Sequence, residues 1–240
     1  MNELFDRLRE IIEINFITKN RWKYYVDGLG NTLLISFFAL LIGIFIGFIV
    51  AIIRTSAAVP MRRKNAGYYL LAVLDKICGA YITLARGIPV VVQLMISYFI
   101  VFAFMKDPIL PAILTFGINS GAYVAEIMRS GIMSIEKGQM EAGRSLGLNY
   151  PQTMLHIILP QAIKNVLPAL GNELIVLVKE TSVVGYVGAV DLTKGANINI
   201  GTLYNSVVPL LTISVVYLAI VMILTKLVGL MERRLRVSEH

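Results

Sequence analysis

Three stretches of this chain, residues 28–53, 87–105 and 195–225, contain no charged side chain. A helix that crosses the hydrocarbon core of a bilayer needs about 20 largely apolar residues. All three stretches meet or approach that length, so the chain reads as an all-α membrane protein. Composition agrees: 57% of residues are hydrophobic and 15% are charged, where a soluble domain carries about 25% charged residues.

The net charge of +7 is assigned to basic residues that anchor membrane-flanking loops rather than to nucleic acid. With Cys78 as the one cysteine, neither an internal disulfide nor a zinc cluster is available, and Cys78 reads as a small buried apolar side chain. The first apolar run is long enough to stay in the membrane, so no cleaved leader is expected.

The pattern predicts five membrane-spanning helices. Residues 3–17 place Leu4, Leu8, Ile11 and Ile12 at helical spacing between charges. That suits a helix lying in the interface, or one that binds a partner. Phe16, Trp22, Tyr24 and Tyr25 follow as an interfacial anchor. Span one is expected at 29–53, with Gly43 and Gly47 as a GxxxG pair for close helix approach. Residues 66–85 contain Asp75 and Lys76 and read as an amphipathic lead-in helix to span two at 87–105. Span three is placed at 109–131, span four at 165–188 and span five at 206–228. Span four carries Glu173, Lys179 and Glu180, residues that face protein or water when inside a membrane. The chain is one domain: a segment at 1–27, then a helical core at 28–230 with a long loop at 132–164.

Charge sets the orientation. Arg54, Arg62, Arg63, Lys64, Arg129, Lys137, Arg144, Lys164, Lys226, Arg233, Arg234 and Arg236 fall on one side of this topology. The opposite loops carry Lys106 and Lys194. The basic side is expected to be cytoplasmic, which puts the C-terminus inside and the N-terminus outside. Five basic residues in the N-terminal segment, Arg7, Arg9, Lys19, Arg21 and Lys23, run against that assignment.

The loop is polar, and its pattern predicts two short helices. The first, 136–146, is ended by Gly147, which tolerates a left-handed conformation. Asn149 is the expected N-cap of the second, with Pro151 in its first turn and Pro160 at its end. Glu141-Ala142-Gly143, then Gly147, then Ile157, Leu159 and Pro160 keep a fixed spacing. It resembles the EAA loop of ABC importer permeases, with Gly143 standing where that family has a second alanine. "RGIPVVVQL" (86–94), "NSGAYVAEIMRSGI" (119–132) and "KETSVVGYVGAVDLT" (179–193) are similar to the permeases that take up polar amino acids such as histidine, arginine or glutamine.

The resemblance implies a type I importer permease in a bacterial inner or plasma membrane. Its partners would be a second permease subunit, identical or homologous, two ABC ATPase subunits and an extracytoplasmic solute-binding protein. Glu141, Ala142, Gly143, Gly147, Leu159 and Pro160 would then form the coupling helix and its supports. ATP and Mg would be bound by the ATPase subunits, leaving this chain without a cofactor or covalent chemistry of its own. Independently, no GxxxxGK[ST] phosphate loop occurs in the sequence, so energy comes from a partner or from an ion gradient. A gradient-driven secondary transporter of a small polar solute is the rival reading, and it calls for internal repeats. A membrane enzyme would need convergent bases or nucleophiles, and His156 and His240 are the only histidines.

Candidates for substrate contact are Asn119 and Ser120, Gln93, Glu126 and Asp191. Asn119 and Ser120 can bond substrate or tie span three to a neighbour. Glu126 can instead pair with Arg129 three residues on, and Asp191 can be a hydrated surface charge. Glu173 and Glu180 share a helix face and are expected to serve helix packing. The acidic candidates lean toward a basic amino acid.

Overall fold

The computed structural model describes residues 2–58 and 66–237. Arg62, Arg63, Lys64 and His240 lie outside the described residues, as do the side chains of Leu4, Leu8 and Arg236. Helix α1 (Asn2–Ile12) passes through a π turn (Glu13–Ile17) and a 3₁₀ turn (Thr18–Asn20) into α2 (Trp22–Ala57). Then come α3 (Ala66–Gly87), α4 (Val90–Ile96, continued by a π turn to Val101) and α5 (Ile109–Met133). The polar segment holds α6 (Lys137–Ser145) and α7 (Tyr150–Thr153), and α7 runs through a π turn (Met154–Ile158) into α8 (Leu159–Glu180). A 3₁₀ turn (Thr181–Val187), α9 (Leu192–Leu203) and α10 (Val207–Val237) complete the described chain.

Helices α2 and α5 form the centre. Two pairs of glycines, each four residues apart, let their backbones meet. A Cβ on Gly47 would lie 2.6 Å from Val124, and one on Gly117 would lie 2.7 Å from Ile42. Gly43 sits against Ser120 and Gly121 against Ile46 in the same way. Small residues on both faces replace the missing hydrophobic drive between helices in lipid with close van der Waals packing. Around this seam Ile35, Ala39, Leu94, Phe116, Leu177 and Val184 form the main apolar core. Phe37, Phe45, Phe48 and most of the α10 side chains point outward, as expected of helices solvated by lipid.

The second crossing differs from expectation. Helix α3 is long and apolar enough to span by itself, yet its contacts place it otherwise. Asp75 is level with Arg54 at the charged end of α2, at 3.4 Å, whereas Ala85 accepts a hydrogen bond from Asn119 in the middle of α5. With 1.5 Å of rise per residue, α3 therefore ends about halfway through the bundle. Helix α4 with its π turn covers only about 18 Å for its 12 residues. The expected span at 87–105 is thus shared: the second half of α3 makes the lower part, and α4 makes the upper part. Pro89, which cannot donate a backbone hydrogen bond, sits at the break with an extended ψ of 133°.

Pro160 also corrects the sequence reading. It does not end a helix but stands in the first turn of α8. The π turn over Met154–Ile158 widens the ladder just before it, which accommodates the missing N–H and the ring. Helix α8 accordingly begins earlier than span four was placed and ends at Glu180. The uncharged run 195–225 divides into α9 and α10 at Tyr204, whose φ is 51°. Helix α9, absent from the sequence reading, packs backbone to backbone on the start of α2 through Gly28 and Gly195.

If the α2–α5 seam sets the fold, Gly47→Leu costs about 1–3 kcal/mol through overpacking, read as a lowered Tm of the purified protein. Gly30→Leu, where an added side chain meets open space, leaves Tm unchanged or raised. Equal effects at both positions contradict the seam.

Candidate functional site

The break between α3 and α4 is held by amides. Gln93 Nε2 donates to the carbonyls of Ala85 (2.8 Å) and Ile88 (2.7 Å). Asn119 Nδ2 reaches the same Ala85 carbonyl at 2.7 Å and Gln93 Oε1 at 3.3 Å. Carbonyls freed by Gly87 and Pro89 need such partners, since lipid offers none. The clamp fixes the chain so that Arg86 projects beside α5, its guanidinium 5.2 Å from the ring centre of Tyr123.

Arg86 is exposed in this chain although it lies at mid-depth. A charge there faces water or protein rather than lipid. Two adjoining cavities share Arg86 and Tyr123. The larger, about 590 Å³, is also lined by Glu126, Arg129, Ser134, Asn165 and Glu173, and opens toward the end of the bundle that carries α6. The smaller, about 330 Å³, is lined by Gly87–Val90 of the break together with Asn119 and Glu180.

The charges in these cavities are not equivalent. Glu126 is bonded to Arg129 at 3.0 Å and lies 3.8 Å from Arg54, which itself holds Asp75. Glu173 is buried and accepts a hydrogen bond from Ser120 Oγ at 2.7 Å. Arg86 lines the larger cavity together with Glu126 and Glu173, and the smaller one together with Glu180.

Of the sequence candidates, Asn119 and Gln93 therefore act first on the helix break, Ser120 on Glu173, and Glu126 on its ion pairs; Asn119 and Glu126 also line cavities. Asp191 stands apart. It is fully buried at the N-cap of α9, where its carboxylate accepts from the N–H groups of Thr193 (2.9 Å) and Lys194 (3.1 Å). Burial pushes this carboxyl up, and those N–H donors oppose the shift. It serves as a helix cap. Sequence reasoning passed over Arg86 and Tyr123 and gave Glu173 and Glu180 to packing; the signal was a charge beside a Gly–Pro break, with two carboxylates a heptad apart.

The polar segment is built as a rigid projection. Gly147 has φ 87°, and Asn149 and Gln152 form a reciprocal capping box that starts α7. Gly143 is buried: a Cβ there would lie 2.5 Å from Thr153 Cγ2, so the methyl of an alanine has no room. Glu141 and Ala142 are exposed on α6, and Leu146 at its end is 82% exposed. The α6 turn rests on the π turn over Met154–Ile158, and Leu159 and Pro160 continue directly into α8. One continuous helical run, with Pro168 in its interior, thus leads from under α6 to Glu173 and Glu180.

Comparison with known proteins matches this architecture. Residues 65–237 fit the family model of the binding-protein-dependent transport system inner membrane component. The arginine transport system permease protein ArtQ of Bacillus subtilis is 35% identical, covering 90% of this chain and 94% of its own. The glutamine transport system permease protein GlnP of Escherichia coli is 34% identical over 88% and 93%. Among solved structures, an amino acid ABC transporter with histidines superposes with a TM-score of 0.80 at 36% identity, covering 91% of this chain and 98% of that one. The inward-facing MetNI methionine ABC transporter shares the fold, with a TM-score of 0.73 at 23% identity over 88% and 96%. The chain belongs to the family of binding-protein-dependent transport system inner membrane components, alongside permease proteins of amino acid transport systems.

Proposed function

We propose that the paired cavities form this chain's half of a path for polar, preferably basic, amino acids. Arg86 is placed to meet the α-carboxylate, while Glu173 and Glu180 meet the α-ammonium and a cationic side chain. Arg86 lining both cavities, one shared with Glu173 and the other with Glu180, is the observation that carries this reading. The exposed charge of Arg86 at mid-depth supports a second permease subunit, identical or homologous, closing the path. Five helices of 22 or more residues among the described ones support five crossings, with α3 and α4 sharing one. The N-terminus would lie outside and the C-terminus in the cytoplasm of a bacterial cell.

Energy enters through α6. Two ATPase subunits, which carry the ATP and Mg, would each grip one such helix around Glu141, and an extracytoplasmic solute-binding protein would dock near 106–111 and 190–205. ATP binding favours one arrangement of the helix rods and hydrolysis returns the other, so the ligand shifts an equilibrium between two access states. The capped turn at Gly147 and the unbroken run from α7 to α8 support this, because a rigid connection transmits displacement.

Two outcomes test the proposal. Glu141→Ala and Gly147→Asp leave membrane insertion intact and lower substrate-stimulated uptake by about 5- to 150-fold, the range of a typical coupling free energy. Normal uptake by both variants sinks the coupling assignment. Glu180→Gln lowers uptake of arginine or lysine by about tenfold or more, as expected for truncating one partner of a desolvated charge pair, while glutamine uptake changes less. A parallel loss for cationic and neutral substrates contradicts the charge assignment.

A further inference from the structure

A second kind of cavity lies on the opposite flank of α5, at the α6 end of the bundle. It measures about 310 Å³ and is walled by Phe48, Ile52 and Thr55 of α2, Met128 of α5, Met154 of the π turn and Ile163 of α8. We propose that this groove binds one acyl chain of a membrane phospholipid from the leaflet on the α6 side, seated between the α2–α5 core and the coupling segment.

The polarity of the groove selects this occupant. Its walls are hydrocarbon along α2 from Phe48 to Ile52 and become polar at Thr55 and Ser56, beside the end of the helix, and at Tyr150 of α7. Thr55 Oγ1 is buried with no hydrogen-bond partner among the described residues. A peptide laid here would strand its backbone N–H and C=O groups against apolar walls. A lipid tail has no such groups, and its ester oxygens lie at the end where Thr55 and Ser56 are found. Depth agrees as well. Phe48 to Thr55 covers about 10 Å of helix, ending at the level where Arg54 meets Asp75, the start of the charged boundary. The groove is continuous with lipid-facing surface, since Phe48, Ile52 and Ile163 are each about half exposed.

Its position gives the lipid a consequence. One wall belongs to the central seam and the other to α7, the π turn and the first turns of α8. An inserted chain therefore touches both parts that must shift relative to each other, and the acyl composition of that leaflet tunes coupling; this last step rests on the coupling role given to α6.

The test uses the complete transporter with its ATPase subunits, in bilayers containing phospholipid with dibrominated acyl chains. Trp22 is the one tryptophan of this chain, so Trp22→Phe with Met154→Trp leaves the chain one reporter, inside the groove, read against the complex carrying Trp22→Phe alone. Trp22→Phe with Phe45→Trp gives a lipid-facing control outside the groove. Quenching at 154 comparable with that at 45, falling several-fold when Ile132→Phe narrows the groove, is the expected result. A reporter at 154 that stays bright while the one at 45 is quenched overturns the site, whether the groove is dry or filled by a second subunit. If Met154→Trp fails to assemble, Tyr150→Trp reads the same groove. Quenching reports occupancy whether or not α6 docks an ATPase, so its failure is separate from failure of the Glu141 test.

Discussion

The structure depends on the close approach of α2 and α5. Glycines at 43 and 47 on one helix and at 117 and 121 on the other let each backbone receive the other's side chains. That seam fixes the height of α5, and α5 carries the groups that organise everything else. Asn119 holds the break between α3 and α4, Ser120 holds Glu173 of α8, and Glu126 gathers the guanidiniums of Arg54 and Arg129. A shift of one residue in the seam would rotate all three by about 100° and dissolve each of these contacts.

From that register the path follows. A helix broken at mid-depth exposes carbonyls that only protein amides can satisfy, and satisfying them with Gln93 and Asn119 leaves Arg86 facing a cavity instead of lipid. The same depth receives Glu173 from α8. Because α8 continues from the segment that supports α6, a push on the exposed end of the molecule would, under the proposed coupling, be delivered to Glu173 and Glu180, which line the cavities. Under the proposed coupling, transport requires this kind of mechanical connection.

Much of this was legible in the sequence. Uncharged runs announced α2 and α10, and Gly147 and Asn149 marked the turn and the cap where the structure has them. What the sequence concealed was decided by tertiary contacts. The 66–105 stretch contains enough apolar residues for several divisions, and only the pairing of Asp75 with Arg54 and of Ala85 with Asn119 fixes where the crossing changes helix. Pro160 looked like a terminator because a proline removes one ladder hydrogen bond, but a preceding π turn absorbs that loss. Asp191 looked like a site residue because it follows the glycine-loosened stretch 185–190, where a carboxylate can meet a cationic ligand; its partners are the first amides of α9. Gly143 departs from the family's alanine because Thr153 occupies the space of the methyl.

The direct measurement of the account is where the tip of α6 points and what it touches. With Cys78 replaced by alanine, Leu146→Cys provides a single thiol at the most exposed apolar position of that tip. The account predicts that, in intact cells, this thiol resists a membrane-impermeant maleimide added outside. In the assembled transporter it should cross-link to an ATPase subunit, with a yield that changes on ATP binding. Labelling from the exterior, or an assembled transporter in which the thiol reaches no ATPase, would contradict it.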